Sequence, residues 1–229
     1  MPSRTPLPDL NIDLGERPDE QAELYTLAHR INVGCGGHAG DAGSMRAACA
    51  LAARSGVLVG AHPSYPDREH FGRTALVIEP AVLKASIEGQ CQAFRAIAQA
   101  AGLRVVHMKP HGALYHSADR DSAVAELVME AATGALDEIA VVGPPDGELS
   151  RAAARRGLRF LAEGFADRGY DAGRLLARGT PGSLIEDPAI AASQAHHLAD
   201  TGRFQTICVH SDTPNAVAIA RAVRAVLEG

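Results

Sequence analysis

Seven short apolar runs recur along the chain, at residues 10–14, 30–33, 57–61, 104–108, 139–143, 159–163 and 206–209. Most are bounded by Gly, Pro, Asp or Asn. They read as continuous apolar stretches more than as alternating ones, the pattern of strands buried on both faces of a parallel sheet. The segments between them carry helix punctuation. Asp41 is placed to cap a helix through Arg54, with Gly56 just beyond it. Pro80 predicts the first residue of a long helix to Ala101, stopped by Gly102, with Leu83, Ile87, Phe94 and Ala98 as its buried stripe. Asp187-Pro188 and Thr213-Pro214 mark two further helix starts, and Val217, Ala220, Val223 and Leu227 share one face of the last helix. Strand followed by helix, repeated in this way, implies a parallel sheet with right-handed crossovers. Periodicity alone fits either a closed barrel or an open doubly wound sheet. Seven units in 229 residues favour a compact, irregular seven-stranded (β/α) barrel, occupying one domain over residues 1–229.

Composition narrows the function classes. A net charge of -5 and an isoelectric point near 6.0 give no electrostatic reason to bind nucleic acid or anionic lipid. No stretch approaches the roughly 18 apolar residues of a membrane helix. Residues 1–8, with Arg4, lack the apolar centre of a signal peptide, so the cytoplasm is the expected location. Cys35, Cys49, Cys91 and Cys208 are scattered with no Cys-x-x-Cys pair, which reads as four reduced thiols. Trp is absent, so Ala, Val, Leu and Ile must fill the core.

Polar residues gather where the strands end. The first strand ends in Asn11, Asp13 and Glu16; the second carries Asn32 and leads to His38 and Asp41; the third runs into His62, Ser64, Tyr65 and Asp67. The fourth leads to Lys109, His111 and Tyr115, the sixth to Glu163, Asp167 and Arg168, and the last to His210, Asp212 and Thr213. Parallel α/β barrels build their active sites on this edge, so the repetition predicts one shared pocket.

Each motif has a functional and a structural reading. Asn11 and Asp13 lie two apart on a strand and face one side, where Asp13 can orient a histidine, bind a cation or form a turn before Gly15. Gly36 and Gly37, ahead of His38 and Asp41, suit close backbone approach to an anion near a helix start, or a tight turn with Asp41 as its cap. His62 is either a pocket residue or a core histidine satisfied by backbone. Lys109, at the end of an apolar strand, needs an anionic partner: a substrate carboxylate or phosphate, or a structural ion pair, for example with Glu163. Glu163 sits inside an apolar run, where burial disfavours the charged form, which makes it an acid–base candidate. Asp167 and Arg168 line the pocket or pair on the surface; Asp212 and Thr213 line it or cap the last helix. His196 and His197 read as solvated, and Cys35 as a nucleophile only in principle. Asp13, His38 and His62 form the most economical divalent-metal set.

Taken in order, DLNIDLGE (9–16), NVGCGGHAGD (32–41), GAHPSYPD (60–67) with FGR (71–73), MKPHGALYH (108–116), EGFADRGYD (163–171), ARG (177–179) and VHSDTP (209–214) resemble the LamB/YcsF family. Its characterised activity is that of the A subunit of an ATP-dependent 5-oxoprolinase. The resemblance implies an irregular barrel of the glycoside hydrolase/deacetylase type. It also implies opening of the 5-oxo-L-proline lactam to glutamate, with ATP, and magnesium with it, as co-substrate, and subunits B and C as partners. Carried over residue by residue, the catalytic set is Asp13, His38, His62, Lys109, His111, Glu163 and His210. The substrate-binding set is Asn11, Asn32, Gly36, Gly37, Tyr115, Asp167, Arg168 and Asp212. On this view Lys109 and glycine-loop amides hold a carboxylate or phosphoryl oxygen, and Glu163 or a histidine activates water. The chain departs from the family pattern at Gly37, where Phe is usual, at Thr74 in place of Arg, at Ser211 in place of Gly, and in a shorter segment between Glu16 and Arg30. The alternatives are a metal-dependent deacetylase or amidohydrolase on the same barrel, and a non-catalytic small-molecule binding module.

Overall fold

Every one of the seven apolar runs forms a strand in a computed structural model of the chain, which describes residues 7–229. The reading that involves Arg4 lies outside the described residues. In chain order the elements are β1 (Asp9–Leu14), α1 (Glu23–Leu27), β2 (Arg30–Gly34), α2 (Ala42–Ser55), β3 (Leu58–His62), α3 (Pro80–Ala100), β4 (Val105–Met108), α4 (Gly112–Arg120), α5 (Ser122–Ala135), β5 (Ala140–Gly143), α6 (Glu148–Arg155) and β6 (Phe160–Phe165). There follow β7 (Tyr170–Asp171), β8 (Arg174–Leu175), α7 (Pro188–Asp200), β9 (Thr206–His210) and α8 (Ala216–Glu228). The parallel strands run β1-β2-β3-β4-β5-β6-β9, and β9 pairs with both β6 and β1. The sheet therefore closes into a barrel rather than ending in two edges. The β7–β8 hairpin is antiparallel and stands outside it.

The punctuation works as its chemistry dictates. The Asp41 side chain accepts the Gly43 and Ser44 backbone N–H groups, and Gly56 ends α2 at φ 67°. Asp187 accepts from Ala189 and Ile190. Leu83, Ile87, Phe94 and Ala98 are all buried along α3. The last helix differs from expectation. It begins at Ala216 after Asn215, and Thr213 is not its cap, because the Thr213 hydroxyl donates instead to Asp167. Val217 is only partly buried, while Ala216 and Ile219 join Ala220, Val223 and Leu227 on the covered face.

Burial on both strand faces hides an alternation. Along β1, Leu10, Ile12 and Leu14 belong to the apolar core, whereas Asn11 and Asp13 join buried polar partners from other strands. Asn11 donates to Thr206 at 2.9 Å, and Asn32 donates to Asn11 and Asp13 at 2.7 and 2.8 Å. The Nε2 of His107 meets the Asn32 side-chain oxygen at 2.9 Å. The barrel interior thus carries a hydrogen-bonded polar layer around β1, β2, β4 and β9, while Ala140 and Val142 of β5 and Leu161 of β6 form a small apolar cluster of their own and the main apolar layer lies on the other face of the strands.

Gly60 makes room for that layer. A Cβ there would stand 2.1 Å from His107 Nε2, at the point where the β3–β4 register shifts. Gly60→Ala is expected to destabilise the chain by about 1–3 kcal/mol through overpacking. A urea midpoint no lower than that of the parent chain would show that the barrel absorbs the methyl group.

Candidate active site

The floor of the site is an ion pair sealed in the barrel. Lys109, just beyond the end of β4, places its Nζ 2.9 Å from Asp13 on β1 and 2.9 Å from Glu163 on β6. It also reaches Cys208 Sγ at 3.2 Å and Asn11 at 3.4 Å. All three charged groups are buried. Burial alone would lower the Lys109 ammonium's affinity for its proton, but Asp13, Cys208 and Glu163 outweigh it and hold the pKa well above the usual lysine value. Burial alone would raise the Asp13 carboxyl; Lys109, His62 and His210 reverse that and keep it well below the usual range. Tyr115 is held in its phenol form by burial and by the Glu163 charge.

Beside this triad, four strand ends bring Glu16, His38, His62 and His111 together. Glu16 Oε1 is 2.8 Å from His38 Nε2, and His62 Nε2 is 2.9 Å from His111 Nδ1. His38 and His111 stack in parallel, with ring centroids 3.6 Å apart. Asp13 Oδ2 lies 3.4 Å from His62 Nε2. Burial and neighbouring histidines hold His38 and His111 well below the usual histidine pKa. Burial would lower His62 as well, but the charges of Asp13 and Glu16 raise it. Burial raises the Glu16 carboxyl.

Across the floor, His210 ends β9. Its ring Nδ1 is 3.0 Å from Asp167, which also accepts the His210 backbone N–H at 2.8 Å and the Thr213 hydroxyl at 2.6 Å. Because a carboxylate can only accept, the Nδ1 carries the proton. His210 Nε2 stands 3.8 Å from Asp13. Phe165 stacks against the ring, with centroids 5.6 Å apart.

Above these groups opens a cavity of about 880 Å³. Asp13, His62, Lys109, His111 and His210 line its floor, and Arg73, Arg168 and Arg178 line its wall. Asp212 sits between Arg73, which it pairs, and Arg178, 3.8 Å away. Burial would raise the Asp212 carboxyl, but His210, Arg178 and Arg73 keep it below its ordinary value. Arg168 spends its donors on loop carbonyls, those of Ser183 at 3.0 Å and Leu176 at 2.8 Å.

The strand-end residues converge as expected, with several changes of place. Asn11 and Asn32 lie in the polar layer under the floor, and Glu163 lies behind Lys109, so none of the three lines the cavity. Lys109 carries two carboxylate partners and is no open anion seat. Gly36 turns the chain at φ 97° with its N–H donating to Ala39, a side chain on Gly37 would strike Ser64 and Gln90, and neither glycine lines the cavity. The α2 amides expected to cradle an anion are taken by Asp41. Asp167 and Arg168 are buried and neither forms a surface pair with the other. Cys35 is buried and its thiol pushed up to about 12, so it is no nucleophile. His196 and His197 are exposed, as read. The economical metal set exchanges Asp13 for Glu16 and gains His111. Three residues outside the predicted site now belong to it or its rim: Glu16, Arg73 and Arg178. Each lies in a segment already singled out, but only the fold shows where its side chain points.

The model described as the LamB/YcsF family matches residues 8–229. Among solved structures, a lactam utilization protein from Thermus thermophilus is similar at 36% identity and a TM-score of 0.89, with 97% of this chain and 96% of that one covered. A family 4 carbohydrate esterase from Streptomyces lividans shares the fold at 13% identity and a TM-score of 0.50, covering 98% of this chain and 88% of the other. A β-glucanase from Saccharophagus degradans does so at 8% identity and a TM-score of 0.52, covering 96% and 88%.

Proposed function

The chain belongs to the LamB/YcsF family, and from that membership we propose that it is the A subunit of an ATP-dependent 5-oxoprolinase, opening 5-oxo-L-proline to L-glutamate as ATP is hydrolysed to ADP and phosphate. The similarity to a lactam utilization protein along nearly the whole of both chains supports a lactam substrate. One observation of this chain carries the reading furthest. A single cavity joins a histidine oriented by a buried carboxylate to a wall of arginines. A lactam carbonyl is a poor electrophile, and phosphorylation of its oxygen opens the ring carbon to water. His210, with its Nε2 lone pair turned away from Asp167, is the group that takes the water's proton. Asp13, held ionised by Lys109, stabilises the imidazolium that forms. Arg73 and Arg178 attract the substrate carboxylate and the phosphoryl group. Glu163 positions Lys109 from beneath the floor. ATP arrives with magnesium, and subunits B and C complete the assembly. A metal-dependent amidohydrolase is the second reading, favoured by the histidine cluster alone.

The test is glutamate release from 5-oxoproline with ATP and magnesium, by this chain with and without candidate B and C subunits. Release that needs all three chains supports the proposal; a verified complex that releases none overturns it. Within the active complex, Asp167→Asn is expected to cut kcat by about 100-fold or more, because His210 loses its orienting acceptor. KM should change little, since Asp167 lies behind His210. An unchanged kcat would remove His210 from the role of base.

A further inference from the structure

We propose that Glu16, His38, His62 and His111 form the seat of one divalent transition-metal ion, with zinc the preferred occupant. The inference stands apart from the lactam reading, because it rests on the cluster's own geometry.

Two of the rings are fixed from behind. His62 Nδ1 lies 2.8 Å from the Lys109 carbonyl, and His111 Nε2 lies 3.0 Å from the Phe71 carbonyl. A carbonyl only accepts, so both of those nitrogens carry hydrogen. The remaining nitrogens, His62 Nε2 and His111 Nδ1, then present lone pairs to each other at 2.9 Å. Two facing lone pairs at that distance require a cation between or beside them. A single proton satisfies two atoms, but four converge here. Glu16 Oε1 stands 2.8 Å from His38 Nε2, 3.5 Å from His111 Nδ1 and 3.6 Å from His62 Nε2. Ligands at about 2.0–2.1 Å from a tetrahedral zinc lie about 3.3 Å from one another, which matches this spacing.

The backing is the arrangement that orients metal-bound imidazoles, an outer N–H donated to a carbonyl with the lone pair inward. The backbone is shaped for it. Phe71 and Gly72 are both in the left-handed region, at φ 54° and 63°, and a Cβ on Gly72 would meet His38 Cβ at 2.7 Å and His111 at 3.0 Å. Three imidazoles and one carboxylate suit zinc or a similar first-row ion, whereas magnesium and calcium take oxygen ligands. His62 and His111 also line the cavity, so the ion borders the space where a substrate binds. Asp13 is not a member of the set; its nearer partner is Lys109.

The experiment uses chain prepared without a polyhistidine tag, stripped with EDTA and titrated calorimetrically with zinc, manganese or magnesium chloride near neutral pH. Metal content after dialysis is read by mass spectrometry. One zinc per chain is expected, with no magnesium uptake. Glu16→Gln and His111→Ala are each expected to weaken zinc binding by about 10–100-fold or more. Cobalt in place of zinc is expected to show the visible absorption of a four-ligand site in the parent and to lose it in both variants. Circular dichroism and a thermal melt confirm folding, and the near-isosteric Glu16→Gln keeps the test decisive if His111→Ala does not fold. Absence of stoichiometric zinc shows that a shared proton fills the gap and overturns the proposal. So does zinc that Glu16→Gln retains while Asp13→Asn loses it, which would restore the smaller set of Asp13, His38 and His62. Glutamate release by a fully metal-stripped complex would leave the lactam reading intact; zinc binding without release would do the reverse.

Discussion

Lys109→Ala is expected to lower glutamate release by the assembled complex at least about 100-fold, the scale set by removing one preorganised electrostatic partner. The same change is expected to cost the folded chain about 3–5 kcal/mol, because it strands two buried carboxylates. Asp13 and Glu163 each lie 2.9 Å from the ammonium and both are buried, Asp13 at the cavity floor and Glu163 behind it. Without the lysine Asp13 keeps the Asn32 amide and His62, but Glu163 loses its cation, so a buried carboxylate must take up a proton or the fold weakens. Glu163→Gln makes a useful companion. The triad carries one positive and two negative charges, so the glutamine keeps its shape and brings its net charge to zero. Its stability loss should therefore be clearly smaller than that of Lys109→Ala, while activity still falls through the displaced lysine. Urea unfolding of both variants checks the order. A larger loss for Glu163→Gln would show that the second carboxylate, not the lysine, organises the floor.

The same triad shows how far residues alone could lead. Lys109 at the end of an apolar run signals a buried cation that needs an anion, and the pairing with Glu163 is readable as one option. That Asp13 would join them is not readable, because its neighbour across the barrel depends on closure of β9 onto β1. Helix caps at Asp41 and Asp187 were legible because they act within four residues. The Thr213-Pro214 signal failed because a tertiary acceptor, Asp167, lies 46 residues away in sequence and competes for the hydroxyl. Gly37 was ambiguous in a different way. A glycine reports that space is tight, but not whether a ligand or the protein fills it; at Gly37 it is Ser64 and Gln90. Arg73 and Arg178 reach the cavity from loops whose course no periodicity encodes.

Stability is expected to fall steeply below about pH 6.5 in metal-free protein, the ordinary pKa of histidine. Burial is the main cause holding His38, His107 and His111 well below that value in the fold, so there they stay neutral. At higher pH both states carry neutral rings and these histidines have no effect. As pH falls past the unfolded value, the unfolded chain gains three protons that the folded chain refuses, and unfolding is favoured. The loss continues until pH passes through the depressed folded values. His62 runs the other way: its folded pKa is raised, so its contribution is full below the unfolded value and fades as pH rises through the folded one. Glu16 and Glu20, both raised chiefly by burial, take up protons in the fold and offset part of the loss lower in the window. At about pH 6 the three depressed rings together with His116, which burial lowers to about 4, and with His62 and His70 opposing them, predict net uptake of about 2.5–3 protons on unfolding, a slope of roughly 3–4 kcal/mol per pH unit. Urea denaturation with EDTA present, at closely spaced pH values, measures that slope. A flat profile between about pH 7 and pH 5 would mean that the three rings reach protons in the folded state. Zinc added to the same series should lift the stability most at the upper end, because His38, His62 and His111 must be neutral to ligate it.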